Sequence, residues 1–246
     1  MPRRLPAALL AAACALGLVL VAGAQGAPAR TRPAVPAAPT PKLAWTGRVL
    51  VPVVARSAPR VTAKARTVLQ PVAPLADGPQ VLLVTRSTVV DGRRWAEVLL
   101  PIRPNGTRGW VPAGALRLNT TPFRVVIDVS ERRLTVFRAN RPVVRARVAV
   151  GAVGTETPRN DHFAIAELIR THSPGAFLGP VVMPITGYSE KLNEFAGGNG
   201  RVAIHGTSLP GLIGTAVSHG CIRMYNSDIV RIARIVRPGT PLKIRD

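Results

Sequence analysis

Ile204-His205-Gly206-Thr207 is followed, after a short loop, by Ser218-His219-Gly220-Cys221-Ile222-Arg223-Met224, and Cys221 is the only cysteine outside the hydrophobic N-terminal stretch. A lone thiol with histidines nearby is a candidate nucleophile for acyl transfer. The thiolate is the reactive form, and an ordinary thiol with a pKa of about 8.5 is mostly protonated at neutral pH, so an imidazole must take the proton. Two imidazoles are at hand. His219 stands two residues from Cys221, where an extended loop would aim both side chains the same way, whereas His205 would meet the sulfur from across the loop; the residue pattern leaves both open. Gly220 would let the backbone N–H groups of His219, Gly220 and Cys221 converge on the oxyanion formed by attack.

Ser218 and Arg223 are the candidates to support and contact a substrate. The serine hydroxyl is placed to bond the loop, and the arginine offers a planar fork for a carboxylate. The bland alternatives are a cysteine that is simply a small buried hydrophobe and an arginine packed beneath the loop. A catalytic Cys221 should have a depressed pKa and label fast at neutral pH, whereas a binding protein's thiol should label slowly. A zinc site made of His205, His219 and Cys221 would lack a fourth ligand and the usual spacings, so neither metal nor cofactor is expected.

The N-terminus bears on where such a thiol would work. Arg3 and Arg4 precede an Ala/Leu/Val run from Leu5 to Val21, and Ala22-Gly23-Ala24 has the small residues of a cleavage site, so residues 1–24 read as a signal peptide and the chain as exported to the cell envelope. If not removed, Leu5 to Ala24 is about 20 residues, enough to anchor in a membrane. Cys14 lies inside the run rather than at its end, which argues against lipidation. With the signal gone no internal disulfide is available, and stability must come from ordinary cores.

The formal net charge is +21, with Arg far exceeding Lys. There is no basic amphipathic run, zinc-finger spacing or aromatic strand pattern of a nucleic-acid reader, so nucleic acid is not the expected partner. For an exported chain the natural polyanions are lipid headgroups, anionic wall polymers and acidic wall peptides. Nothing requires more than a monomer.

Residues 25–44, rich in Pro and Ala, read as a linker. Residues 45–118 hold short β-like runs at Val49 to Val54, Val81 to Thr85, Trp95 to Leu100 and Gly109 to Val111, separated by turn signals at Asp91-Gly92 and Asn105-Gly106. The runs Trp95-Ala96-Glu97-Val98 and Gly109-Trp110-Val111-Pro112, with Leu116-Arg117-Leu118, resemble bacterial SH3-like domains. Its tryptophans are either core or a ligand platform, and Arg86, Arg93, Arg94, Arg103 and Arg108 either bind anions or form a solvated face.

After a polar joint at Asn119 to Pro122, residues 123–246 open with strands at Phe123 to Val129, Leu134 to Arg138 and Val143 to Val150, an antiparallel meander. Asn226 or Ser227 is placed to cap a helix carrying Ile229, Val230, Ile232 and Ala233, with Pro238-Gly239 ending it before a strand at Pro241 to Ile244. The fold class is therefore mainly β: a small barrel, then a β-rich catalytic domain with a short C-terminal helix. Tyr188 and Phe195 are candidates for a lid or for loop core, with Tyr188 a candidate substrate contact. His162 and His172 fit surface or turn positions.

The His205-Gly206-Thr207 and Ser218-to-Met224 motifs resemble the signature of the L,D-transpeptidase catalytic domain, the YkuD family, and Val126-Ile127-Asp128-Val129-Ser130-Glu131-Arg132-Arg133-Leu134 is similar to that family's first hairpin. The resemblance covers roughly Phe123 to Asp246. It implies Cys221 as nucleophile, His205 as base with the Gly206 carbonyl fixing its tautomer, and a thioester acyl-enzyme. It further implies 3→3 cross-linking of peptidoglycan stem peptides with release of D-alanine, and acylation by carbapenem-type β-lactams. Water as acceptor would make an L,D-carboxypeptidase, and a non-catalytic wall-binding protein or a general cysteine protease are the remaining readings. One departure stands out: Thr157-Pro158-Arg159-Asn160-Asp161-His162-Phe163 lacks the family's turn glycine, and Asn160 is the residue expected to supply a positive φ there.

Overall fold

A computed structural model describes residues 38–194 and 197–246. The signal segment 1–24, most of the linker and Phe195 lie outside the described residues. Two β-sheets follow one another along the chain.

The first comprises β1 (Ala44–Val49), β2 (Val53–Arg56), β3 (Ala65–Leu69), β4 (Val81–Val90), β5 (Arg93–Leu99), β6 (Arg108–Pro112) and β7 (Leu116–Thr121). They form a seven-stranded sheet in the order β3-β2-β6-β5-β4-β1-β7, with every pairing antiparallel. The β4–β5 hairpin turns on Asp91 and Gly92 at φ of 50° and 71°, the left-handed pair that a two-residue hairpin demands. The run expected at Val49 to Val54 is broken at Leu50–Pro52, since Pro52 has no N–H for a ladder. Asn119 to Thr121 is not a joint but the end of β7, paired to β1 with Asn119 opposite Thr46. Trp45, Trp95 and Trp110 are buried, so they are core and not a ligand platform. Of the arginines, Arg86 and Arg108 share the buried Glu97.

The second sheet comprises β8 (Phe123–Asp128), β9 (Arg133–Arg138), β10 (Arg141–Gly151), β11 (Asn160–Ala164), β12 (Ile169–Arg170), β13 (Val181–Tyr188), β14 (Arg201–His205), β15 (Ala216–Ser218), β16 (Ile222–Met224) and β17 (Pro241–Arg245), with helix α1 (Asn226–Ala233) before β17. Its order is β11-β17-β8-β9-β10-β16-β14-β13-β12, and β15 pairs with β10 off that path. The β8–β9–β10 meander is the expected one. Along β10, Val144, Ala146 and Val148 are buried while Arg145 and Arg147 are exposed, the period-two pattern of a strand with one wet face. Strand β17 pairs in parallel with β8, Leu242 beside Val125, and antiparallel with β11. The core unites Ile127, Leu134, Val148, Met183, Ile204, Ile222 and Met224 with Ile229 and Ile232 from α1. Asn160 is not left-handed; its Oδ1 accepts from the His162 N–H at 2.9 Å, an Asx turn that accompanies a register shift in β11.

The two sheets meet through Ala44, Leu83, Leu99 and Ala164, a small buried cluster. Polar contacts reinforce it. The Arg103 guanidinium donates to the carbonyls of Ser189 (2.7 Å) and Leu192 (3.0 Å), and the Tyr188 hydroxyl donates to Pro101 O at 2.7 Å.

Candidate functional site

Strand β14 ends on His205, and β16 begins one residue after Cys221. Their parallel register sets Ile204 beside Ile222 and His205 beside Arg223. Successive side chains face opposite sides of a sheet. Ile204, Ile222 and Met224 therefore point into the core, where all three are fully buried, and His205, Arg223 and Cys221 share the other face. Carrying the register back one step puts Cys221 beside Ala203, and Ala203 makes a backbone hydrogen bond to the sulfur. The parallel register thus sets His205 on the strand next to the one that Cys221 precedes, while His219 lines the cleft together with the thiol.

His205 is 2% exposed, and its Nδ1 lies 2.6 Å from the Gly206 carbonyl oxygen. A carbonyl only accepts, so Nδ1 carries the proton and Nε2 is the basic nitrogen. Burial lowers the imidazole pKa to about 4, the Gly206 hydrogen bond opposes that, and the Arg223 charge adds to it. The ring is neutral at physiological pH, with Nε2 unprotonated.

Burial pushes the Cys221 thiol up, against the Ala203 hydrogen bond and the Arg223 charge, which both pull it down. The depressed thiol pKa expected from the sequence is therefore reversed, because the sulfur sits among packed groups. The resting pair is thiol and imidazole, and the proton has to move as the sulfur attacks.

Arg223 is 7% exposed, and its buried Nε has no hydrogen-bond partner among the described residues. Its guanidinium stacks 4.7 Å from the centre of the Phe177 ring, which lies 6.2 Å from the His205 ring. No carboxylate pairs with this guanidinium among the described residues, and a buried unpaired cation is costly. Phe177 carried no signal in the sequence, being an isolated aromatic in a loop.

The loop around the thiol is held by its own hydroxyls. Ser218 Oγ donates to the Cys221 carbonyl at 2.5 Å and accepts from the Gly220 N–H at 3.1 Å. Ser218 is thus a positioning residue rather than a substrate contact, since its hydroxyl is occupied and the residue is buried. The same bond engages the Gly220 N–H, so that amide does not stand open as an oxyanion donor; Gly220 instead provides the turn, at φ 109°. Thr155 and Thr157 donate from their hydroxyls to the carbonyls of Ser218 (3.1 Å) and Gly220 (3.0 Å), which ties the departing turn before β11 to the cysteine loop.

Asn226 does not cap α1. It is the first helical residue after Tyr225, and its Oδ1 accepts from the Thr207 N–H at 2.8 Å. A Cβ on Gly206 or Gly179 would collide with that same oxygen, so both glycines are there for close approach. The sequence offered Asn226 or Ser227 only as the cap of their own helix, and gave no sign of this partner just past the end of β14.

A cleft of about 570 Å³ opens on Cys221 and is lined by Pro74, Leu75, Tyr188, Leu192 and the exposed His219. Tyr188 is 7% exposed, with its hydroxyl held by Pro101. It forms wall, not a mobile lid, and its hydroxyl is not offered to a substrate. Leu75 comes from the first sheet's β3–β4 loop, and its N–H donates at 2.8 Å to Glu167, which is paired with Arg201 at 2.9 Å. This buried pair escaped sequence reasoning because Glu167, between β11 and β12, and Arg201, on β14, are far apart in the chain. His162 and His172 are exposed, away from the cleft.

A family model described as the L,D-transpeptidase catalytic domain, YkuD, matches residues 122–244. A Bacillus licheniformis protein named for the L,D-transpeptidase YkuD is 34% identical over 165 residues, covering 64% of this chain and 91% of that one. An L,D-transpeptidase crystal structure from Mycobacterium tuberculosis H37Rv aligns with a TM-score of 0.44 at 16% identity, over 81% of this chain and 95% of that one. L,D-transpeptidase 3 from Mycobacterium tuberculosis, solved with a faropenem-derived adduct, aligns with a TM-score of 0.43 at 13% identity over the same shares of each chain.

Proposed function

The chain belongs to the L,D-transpeptidase catalytic domain family, and on that premise we propose that it cross-links peptidoglycan stem peptides through a thioester on Cys221. The supporting observation is the register that sets His205 on the face of the thiol, with the cleft opening on the sulfur. His205 Nε2 takes the thiol proton as Sγ attacks the carbonyl of the third stem residue. The tetrahedral intermediate collapses, the peptide bond to the terminal D-alanine breaks, and the departing amine receives that proton from His205. The side-chain amine of a second stem then attacks the thioester, gives its proton to His205, and releases Cys221 with a 3→3 bond made.

The backbone amides of His219 and Cys221 are the candidates to meet the oxyanion, and a preorganised donor of this kind is worth roughly 3 kcal/mol of barrier. Arg223 receives the acidic group of the peptide. A β-lactam of the carbapenem or penem class would acylate the same sulfur. An enzyme working outside the cytoplasm belongs to this reading, and the signal-like residues 1–24 support it.

The test is incubation of the protein, and of a Cys221→Ala variant, with a disaccharide-tetrapeptide, followed by mass spectrometry. A Cys221-dependent adduct, free D-alanine and a cross-linked dimer are expected. D-alanine without dimer would assign a carboxypeptidase instead, and a folded protein giving neither adduct nor turnover would overturn the enzyme reading.

A further inference from the structure

A second cavity, of about 670 Å³, lies in the seam between the two sheets and away from Cys221. One wall is the face of the first sheet carrying Arg48 and Arg117, and the other brings Arg170, at the end of β12, and Arg237, beyond α1. Its floor is apolar, with Val81, Phe123, Leu168 and Ile235.

The charges there do not balance. Arg48 and Arg117 are directly opposite in the β1–β7 register, and like charges facing each other across a strand pair destabilise it. Among the described residues, Arg48, Arg117 and Arg170 have no carboxylate within ion-pairing distance. Arg237 gives one Nη to the carbonyls of Ala233 and Val236, leaving the rest of its fork. The one carboxylate lining the described cavity, Glu167, is buried with one oxygen on Arg201 and the other on the Leu75 N–H. Four guanidinium groups therefore surround a concave space with no uncommitted acid. Elsewhere, Arg86 and Arg108 share Glu97 and Arg103 holds the Ser189 loop, while Arg66, Arg93 and Arg94 are exposed on strands that do not line this cavity.

We propose that this seam cavity binds a phosphate-bearing polyol polymer, a chain of phosphodiester-linked polyol units. A guanidinium fork matches phosphate oxygens, and four of them around one space suit a ligand with several anionic groups rather than one carboxylate. The apolar floor suits the carbon faces of the polyol between phosphates, and the volume lies within the few-hundred to thousand Å³ range of ligand sites. A planar lipid surface would not reach the recessed walls. This inference does not depend on catalysis by Cys221; it concerns how the molecule is held on an anionic matrix.

The probe is a fluorescent poly(glycerol phosphate) oligomer, followed by anisotropy with the full chain over a range of salt concentrations. Arg48 and Arg117 are exposed, so Arg48→Glu/Arg117→Glu should fold and should weaken binding about tenfold or more, with a shallower salt dependence. Arg93→Glu/Arg94→Glu, the same charge change at the exposed end of the β4–β5 hairpin, should weaken it no more than about threefold. Equal losses in both variants would reduce the effect to net charge and overturn the site. So would no binding to the wild-type protein at submillimolar oligomer, equal affinity for polygalacturonate, or cavity-dependent binding to phosphatidylglycerol vesicles in place of the oligomer.

Discussion

Tyr188 and Asn105 exchange two hydrogen bonds across the seam between the sheets: Asn105 Nδ2 donates to the Tyr188 carbonyl at 2.9 Å, and the Tyr188 N–H donates to Asn105 Oδ1 at 2.8 Å. A single amide side chain thus completes the backbone of the strand that walls the thiol cleft. Asn105→Ala leaves both groups unpaired and should cost about 1–3 kcal/mol of stability. It should also lower kcat/KM more than Tyr188→Phe, which loses only the bond to Pro101. Urea denaturation beside turnover measures both.

The buried His205 makes stability depend on pH. Its folded pKa of about 4 lies below the usual value of 6.5, so above pH 6.5 both folded and unfolded states are neutral and its contribution is complete. As pH falls from 6.5 toward 4 the unfolded chain binds a proton that the folded one resists, and stability drops, by an amount on the order of 3 kcal/mol once both are protonated. His205→Gln should flatten this part of the unfolding free energy measured against pH.

Thiol chemistry should run late in pH. Because burial raises the Cys221 pKa, iodoacetamide labelling of the free protein should be slow at neutral pH and keep rising above the ordinary thiol range. Acylation by a penem should stay fast at neutral pH, since His205 takes the proton during attack. Slow reaction with both reagents would show that the imidazole does not serve the sulfur.

Removing the Arg223 charge should move both partners. Its positive charge lowers the pKa of His205 and of Cys221, so Arg223→Gln should raise both. The acid limb of the kcat/KM profile is expected to shift to higher pH, while Arg223→Lys keeps the limb and loses substrate affinity with the fork. NMR titration of the histidine ring in the two variants checks the assignment.

Gly220 is needed for its backbone angle rather than for room. At φ 109° an L side chain is strained, yet the nearest atom to a Cβ there is 3.7 Å away. Gly220→Ala should therefore cost about 1–3 kcal/mol through conformation alone, with a larger loss of turnover if the turn relaxes and draws Ser218 from the Cys221 carbonyl.

The meander, the α1 core face and the thiol motif were legible in the sequence because each is local: alternation in β10, helical spacing of Ile229 and Ile232, and residues adjacent in the chain around Cys221. What escaped was what depends on distant partners. Asn226 looked like a cap until its oxygen proved to serve Thr207, and the Glu167–Arg201 pair joins residues no spacing rule connects. The thiol pKa failed for the same reason, since neighbours in sequence suggested a polar setting and neighbours in space supply a packed one. The residues Asn119 to Thr121 looked like a joint because their polarity suits a loop, and pairing with β1 overrode that preference.

Strand β17 has a consequence for the order of events during synthesis. It lies between β8 and β11, so β11 has no place in the sheet until Pro241–Arg245 has left the ribosome. The turn leading into β11 carries Thr155 and Thr157, which hold the carbonyls of Ser218 and Gly220. A nascent chain stalled before β17 would have its nucleophile already translated but the supporting turn unanchored. Such pairing between the two ends of a domain is slow to form, and it gives the growing polypeptide a built-in delay before the thiol is in working order.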